Sequence, residues 1–171
     1  MLGRRAVALY VGLEAAGAPV WLDGGWGVDA LLKRETRNHS DLDVIVRQEH
    51  LAALVTYLAA EGFAPRLRDD TRPWNFLLAN DARELVDVHV VQIAEDGRGV
   101  YGPLAEGVAY PAAALLGRGE IEGVAVRCLS PEYQLESHTG YELRAKDIAD
   151  VRHLAEAFGL AEPAAHRMQT P

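Results

Sequence analysis

The sequence predicts an α+β protein in which a mixed α/β lobe runs to about residue 129 and a small helical lobe covers residues 130–171. Helical and strand-like hydrophobic patterns interchange along the first part of the chain, whereas only helical patterns follow Ser130. The 171 residues are 49% hydrophobic and 25% charged, which is the composition of a folded globular chain and excludes disorder for most of it. A chain of this length is expected to form one domain, or one domain with a small lobe.

The elements of the first lobe follow from the spacing of apolar residues and from the turn residues between them. Helical spacing predicts helices over residues 3–16 and 51–61, ended by Gly17 and Gly62. A brief third helix is expected after the turn Asp23-Gly24-Gly25. Runs of β-branched and alternating residues predict strands over residues 20–22, 41–46, 74–78 and 85–91, and a hairpin over 121–129.

The second lobe begins at a strong helix start. Ser130-Pro131-Glu132 combines a capping hydroxyl, a proline at the first helical position and an acid in the first turn. This helix is predicted to reach about His138. Apolar residues from Ile148 to Phe158 predict a last helix closed by Gly159, and the tail from Glu162 onward is expected to be frayed.

Charge and hydropathy exclude several partners. There are 17 Lys and Arg residues against 25 Asp and Glu, a net charge of −8, whereas proteins that bind nucleic acid generally carry a basic excess. No apolar stretch approaches the ~20 residues that span a bilayer. The single cysteine, Cys128, has no internal disulfide partner. We therefore expect a cytoplasmic protein with a small-molecule partner, without nucleic acid or membrane.

Three aspartates carry the predicted chemistry. Asp41 and Asp43 share one face of their strand because side chains alternate, and Asp87 is flanked by two valines on a later strand. If the two strands pair, three carboxylates meet, which is costly unless a cation neutralises them. Oxygen ligands favour Mg²⁺, and two ions about 4 Å apart can hold the attacking and leaving oxygens of a phosphoryl displacement. The three aspartates are thus predicted as catalytic residues and metal ligands for nucleotidyl transfer.

Other residues have the chemistry to hold a triphosphate. Gly24 and Gly25 stand between a strand and a helix, where backbone N–H groups are free and a phosphate can approach closely. Arg37, His39 and Lys146 are candidates for the remaining phosphate charge.

The combination of motifs resembles a known family. The motifs are Trp21-Leu-Asp-Gly-Gly-Trp-Gly-Val-Asp29, Thr36-Arg37-x-His39-x-Asp41-Leu-Asp43, Val86-Asp-Val-His89, and Cys128-Leu-Ser-Pro-Glu132 with His138-Thr-Gly-Tyr141. Together they resemble the small antibiotic-modifying nucleotidyltransferases of the DNA polymerase β-like superfamily. The resemblance covers roughly residues 20–158, and it is to the lincosamide type above all and to the aminoglycoside 2″ type next.

The resemblance implies a polymerase-β-like mixed sheet with flanking helices and a small C-terminal helical lobe. It implies Mg²⁺ at Asp41, Asp43 and Asp87, with ATP or another nucleoside triphosphate as co-substrate. The expected reaction moves a nucleoside monophosphate to a drug hydroxyl and releases pyrophosphate. In the aminoglycoside relatives the position of Asp87 is also discussed as that of a general base.

The acceptor is less well defined by the sequence. His89, Trp74 and Tyr101 are candidates for contacts with it, although unpatterned aromatic residues more often belong to the core. An aminoglycoside is the alternative to a lincosamide. A non-catalytic nucleotidyltransferase-like module that binds a partner protein is the alternative of another class. A homodimer is expected, because a short chain leaves the acceptor cleft open.

Overall fold

The structure is a computed structural model that describes residues 1–105, 107–139 and 142–167. Its helices are α1 (Gly3–Ala15), α2 (Gly24–Leu32), α3 (Leu51–Ala60), α4 (Pro131–Ser137), α5 (Ala145–Phe158) and α6 (Ala164–Arg167). Its strands are β1 (Val20–Leu22), β2 (Asp41–Arg47), β3 (Ala64–Arg66), β4 (Asn75–Ala79), β5 (Leu85–Ile93), β6 (Gly99–Tyr101), β7 (Val108–Tyr110), β8 (Arg118–Ile121) and β9 (Val124–Arg127). Every described helix is too short or too polar to cross a bilayer.

The main sheet is mixed, as predicted. Within the described residues it has the strand order β1-β2-β5-β4-β3. In addition, β6 pairs with the C-terminal end of β5, and β7 pairs with β6. The central pair, β2 and β5, is parallel, and its register places Asp43 opposite Asp87. All the other pairs are antiparallel, including the separate hairpin of β8 and β9. This register is what brings the carboxylates of two distant segments together.

One hydrophobic core joins both predicted lobes. Leu42, Val44 and Val46 of β2 are fully buried in it. Leu135 of α4 and Val151 of α5 belong to the same buried cluster, so the C-terminal helices pack on the core of the sheet. At residue 129 the secondary structure changes from mixed helices and strands to helices. The division of the chain into two domains at this point stays a prediction.

Several boundaries differ from those predicted. Gly24 and Gly25 are the first two residues of α2 instead of a turn before it, because Asp23 already caps the helix by accepting from the Gly24 N–H at 2.7 Å. The strands β3, β6 and β7 were not predicted, since three residues are too short to show an alternating pattern. The hairpin begins three residues earlier than expected, at Arg118.

The tail that is predicted to fray from Glu162 onward contains a short helix, and the fraying itself stays a prediction. Residues 164–167 form a short helix, α6. His166 is buried there, and its Nε2 lies 2.6 Å from the backbone oxygen of His138.

Candidate active site

A cleft of about 440 Å³ opens where β2 and β5 meet the first turn of α2, the end of α4 and the start of α5. Its walls combine acidic, basic and aromatic side chains. They are Asp23, Gly24, Gly25, Arg37, Asp41, Asp43, Asp87, His89, Tyr110, Tyr133, Ser137, His138, Arg144, Lys146 and Asp147. Eight residues that the sequence singled out as site candidates thus meet in one place: Gly24, Gly25, Arg37, Asp41, Asp43, Asp87, His89 and Lys146.

The carboxylates at one side of the cleft repel one another. Burial raises the pKa of Asp43 well above its usual range, and the neighbouring Asp41, Asp23 and Asp87 raise it further. Lys146 acts in the opposite direction and lowers the pKa of Asp43. A group of oxygen donors with unbalanced negative charge fits a hard divalent cation such as Mg²⁺.

Among the residues that the structure describes, Asp87 is the predicted ligand that forms an ion pair with an arginine. Arg68 Nη1 donates to Asp87 Oδ2 at 2.7 Å, and Nη2 donates to Oδ1 at 3.3 Å. Across residues 1–105, 107–139 and 142–167, no three His, Cys, Asp or Glu side chains are gathered as a group that could hold a metal ion. The structure therefore brings all three aspartates to the cleft, but it holds Asp87 in an ion pair. Sequence reasoning missed Arg68 because it lies in a loop with no pattern around it.

The two glycines at the start of α2 are sterically required. Gly24 has a φ of +54°, and a Cβ atom there would lie 2.3 Å from Asp43 Oδ2. A Cβ atom on Gly25 would lie 2.3 Å from His39 Nδ1 and 2.5 Å from Arg37 Nη2. The absence of side chains lets the helix start pack directly beside the carboxylates and beside Arg37. Gly24 and Gly25 both line the cleft, and a helix N-terminus is a place where an anion is stabilised.

Arg37 and His39 take different places. Arg37 lines the cleft and donates from Nη2 to Asp150 Oδ2 at 2.8 Å. His39 is buried behind Gly25 instead of lining the cleft. Its Nδ1 lies 3.0 Å from Arg37 Nη1 and its Nε2 lies 2.5 Å from Asp29 Oδ2. Both ring nitrogens are therefore engaged within the protein, and His39 contacts Arg37 without lining the cleft.

A basic side of the cleft faces the acidic one. Arg37 and Lys146 were predicted there, and Arg144 was not. Arg144 is the N-cap residue of α5, and its Nε donates to Asp147 Oδ2 at 3.3 Å. The hydrogen bonds from the Arg144 backbone N–H and side chain lower the pKa of Asp147 although burial opposes them, so this acid stays ionised. The sequence signal that could have indicated Arg144 is its position just before α5, two residues from Lys146.

His89 stands between Asp87 and Asp23, and two tyrosines follow it along the cleft wall on the Asp23 side. His89 sits with Nδ1 3.9 Å from Asp23 Oδ2 and Nε2 3.8 Å from Asp87 Oδ1. The hydroxyl of Tyr110 lies 3.4 Å from His89 Nδ1, and the ring of Tyr133 packs against that of Tyr110. Tyr110 of β7 and Tyr133 of α4 line the cleft and were missed, because an isolated tyrosine carries no positional signal.

Two predicted acceptor residues lie outside the cleft lining. Tyr101 packs edge-on against His89 at 5.3 Å between ring centroids, and burial, followed by nearby Asp87, raises its pKa to about 12. Trp74 lines a separate groove of about 320 Å³ with Gln48 and Gln92. Trp74 is therefore not placed to touch a molecule in the cleft, and Tyr101 reaches one only through His89. Tyr141, part of the last sequence motif, lies outside the described residues.

The fold and the site together define a nucleotidyltransferase. The chain belongs to the aminoglycoside-2″-adenylyltransferase family, whose model matches residues 6–154. The predicted resemblance to small antibiotic-modifying nucleotidyltransferases is thereby confirmed.

Individual relatives point to two drug classes. The chain is 27% identical over 134 residues to the lincosamide resistance protein of Staphylococcus haemolyticus, covering 78% of this chain and 82% of that protein. It is 33% identical over 124 residues to a 2″-aminoglycoside nucleotidyltransferase of Escherichia coli, covering 67% of this chain and 59% of that enzyme. Its fold matches the crystal structure of the lincosamide antibiotic adenylyltransferase LnuA bound to lincomycin, with a TM-score of 0.71 and 26% identity over 83% of this chain and 89% of LnuA.

Proposed function

We propose that the protein transfers AMP from ATP to a hydroxyl group of a lincosamide, in a Mg²⁺-dependent reaction that releases pyrophosphate. The observation that carries the proposal is the division of the cleft: carboxylates stand on β2 and β5, cations stand at the start of α5 and in the loop before β2, and tyrosines form the wall beyond His89. Such a cleft has a place for a triphosphate, for the ion that accompanies it and for the ring system of an acceptor. ATP as the donor implies the cytoplasm as the place of the reaction.

The basic side binds the nucleotide. Arg37, Arg144 and Lys146 neutralise the phosphates, and the N-terminus of α2, where Gly24 and Gly25 line the cleft, stabilises a phosphate next to them. This holds the α-phosphorus near the carboxylates, so that the acceptor oxygen and the pyrophosphate leaving group lie on opposite sides of it.

The acidic and aromatic sides serve the acceptor. The acceptor oxygen forms a bond to the α-phosphorus while the bond from that phosphorus to the pyrophosphate oxygen breaks. The proton of the hydroxyl passes to Asp87, beside which His89 stands at 3.8 Å. Bound at Asp41, Asp43 and Asp87, Mg²⁺ would supply positive charge for the triphosphate and for the attacking oxygen.

The rings of Tyr110 and Tyr133 favour a lincosamide, which carries an alkyl-substituted pyrrolidine ring as well as a sugar. An aminoglycoside is the second candidate, because the family and the relative from E. coli are named for that drug class. The acids of the cleft suit either drug, since both carry amino groups. A homodimer stays a prediction that sedimentation velocity tests directly.

The deciding experiment incubates the protein with Mg²⁺, ATP and either lincomycin or kanamycin, and measures the drug by mass spectrometry. We expect lincomycin to gain one adenylyl group and pyrophosphate to appear in equal amount. A gain on kanamycin alone would replace the lincosamide by the aminoglycoside. If no drug of either class gains mass, the non-catalytic binding module is favoured, whether or not calorimetry detects ATP binding.

A further inference from the structure

We propose that Arg68 is a built-in counter-cation of Asp87, which competes with the divalent cation for this carboxylate and leaves it when the cation binds. The inference rests on the proposed metal site. It concerns a step that precedes catalysis, namely how the third carboxylate becomes available.

The first argument is the geometry of the pair. Both terminal nitrogens of Arg68 contact Asp87, one at each carboxylate oxygen, at 2.7 and 3.3 Å. A guanidinium that bonds both carboxylate oxygens occupies the atoms with which Asp87 would coordinate a metal ion. Asp41 and Asp43 have no such ion pair among the described contacts, so Asp87 is the carboxylate of the three that an arginine occupies.

The second argument is that Arg68 is free to leave. It belongs to the loop of residues 67–74 between β3 and β4, and about 31% of its side chain is exposed. Its Nε already lies 3.1 Å from Asp70 Oδ1, and the Asp70 side chain is 65% exposed. Arg68 therefore exchanges one carboxylate for another without entering the core, at little cost in free energy.

The third argument concerns charge. Asp43 stands opposite Asp87 in the register of β2 and β5, close enough for the two carboxylates to repel each other. In the absence of a divalent cation, Arg68 offsets part of this repulsion. A divalent cation bound by the carboxylates offsets the same repulsion with a higher charge. Asp87 then no longer needs Arg68 as its counter-charge.

The test measures Mn²⁺ binding to the whole protein by calorimetry and electron paramagnetic resonance, without nucleotide or drug. We expect Arg68→Gln to bind Mn²⁺ about tenfold more tightly than the unsubstituted protein, because a contacting opposite charge changes the cation affinity of a carboxylate by about one order of magnitude or more. Arg68→Lys keeps the charge and loses the fork, so its affinity should fall between the two.

The matched control is Arg72→Gln in the same loop. Arg72 Nη1 bonds only backbone oxygens, those of Asp69 and Thr71, and its loss changes the net charge equally. An equal gain in Arg72→Gln and Arg68→Gln, or no gain in Arg68→Gln, would overturn the inference while leaving the metal site standing. If neither the unsubstituted protein nor Arg68→Gln binds Mn²⁺, the proposed metal site itself fails. Melting temperatures confirm that each variant is folded, and Arg68→Lys decides the matter if Arg68→Gln is not.

Discussion

Asp29 Oδ2 lies 2.5 Å from His39 Nε2, and both side chains are almost fully buried behind the start of α2. Because Arg37 can only donate, His39 Nδ1 accepts from it, so the ring proton must sit on Nε2 and point at Asp29. Thr36 Oγ1 also donates to Asp29, at 2.6 Å. This chain of hydrogen bonds fixes Arg37 in the cleft from behind, while Asp150 fixes it from the side.

Replacing His39 by Phe should weaken nucleotide binding more than turnover. The ring volume is kept, but Arg37 loses one acceptor, and Asp29 loses the donor at Oδ2 while Thr36 still donates to Oδ1. We expect the KM for ATP to rise about tenfold with a smaller change in kcat, and the free energy of unfolding to fall by about 2 kcal/mol, the cost of a hydrogen bond to a charged group. Steady-state kinetics and urea unfolding measure the two effects. An unchanged KM for ATP would show that Asp150 alone orients Arg37.

Gly24→Ala should abolish activity through a clash as well as through backbone strain. A left-handed φ costs an alanine about 1 kcal/mol or more, and the new Cβ atom would meet Asp43 Oδ2 at 2.3 Å. Gly17→Ala is the matched control, since Gly17 has a φ of +76° but no atom within 4 Å of its Cβ position. Both variants should lose stability in urea unfolding. Only Gly24→Ala should lose adenylyl transfer, and equal activity in the two would contradict the packing argument.

Local patterns in the sequence predicted much of the site. Strand alternation placed Asp41 and Asp43 on one face, and the motif order placed Asp87 on a neighbouring strand. The parallel register that sets Asp43 opposite Asp87 is a tertiary fact, and local residues do not encode it. The central helices and strands were predicted correctly for the same reason: their periodic patterns are long.

The parts of the site that were missed depend on the three-dimensional contacts of loops. Arg68 contacts a carboxylate 19 residues away, and no periodic pattern marks it. His39 was expected at the phosphates because a charged residue near a glycine turn suggests a ligand contact. Burial behind Gly25 gives it a supporting place instead. Trp74 was expected at the acceptor because it is aromatic, but it lines a groove other than the cleft.

Tyr133→Ala should raise the KM for the drug and leave nucleotide binding unchanged. Tyr133 lines the cleft on the acceptor side, and its ring packs against that of Tyr110. Loss of an aromatic contact costs about 1.4 kcal/mol, which corresponds to a tenfold rise in KM. Trp74→Ala is the comparison variant, and it should leave the KM for the drug unchanged because its groove is separate. A rise in Trp74→Ala alone would return Trp74 to the acceptor site.

Asp43→Asn should abolish transfer and stabilise the metal-free protein at neutral pH. The pKa of Asp43 is raised in the folded state, so ionising this carboxyl costs folding free energy. Below the ordinary aspartate pKa the group is neutral in both states, and the two proteins should unfold alike. As the pH rises from there through the raised pKa of the folded state, the unsubstituted protein should lose stability relative to Asp43→Asn. Urea unfolding in EDTA between about pH 4 and 8 measures the difference.

Mg²⁺ provides the control for Asp43→Asn. The ion should raise the melting temperature of the unsubstituted protein at neutral pH, because it relieves the repulsion among Asp23, Asp41 and Asp43. It should have little effect on Asp43→Asn, which lacks one of the charged ligands. A shift of about 2–4 °C corresponds to about 1 kcal/mol in a chain of this size. Equal shifts in both proteins would mean that the ion binds elsewhere, and retained transfer in Asp43→Asn would refute the assignment of Asp43 as a metal ligand.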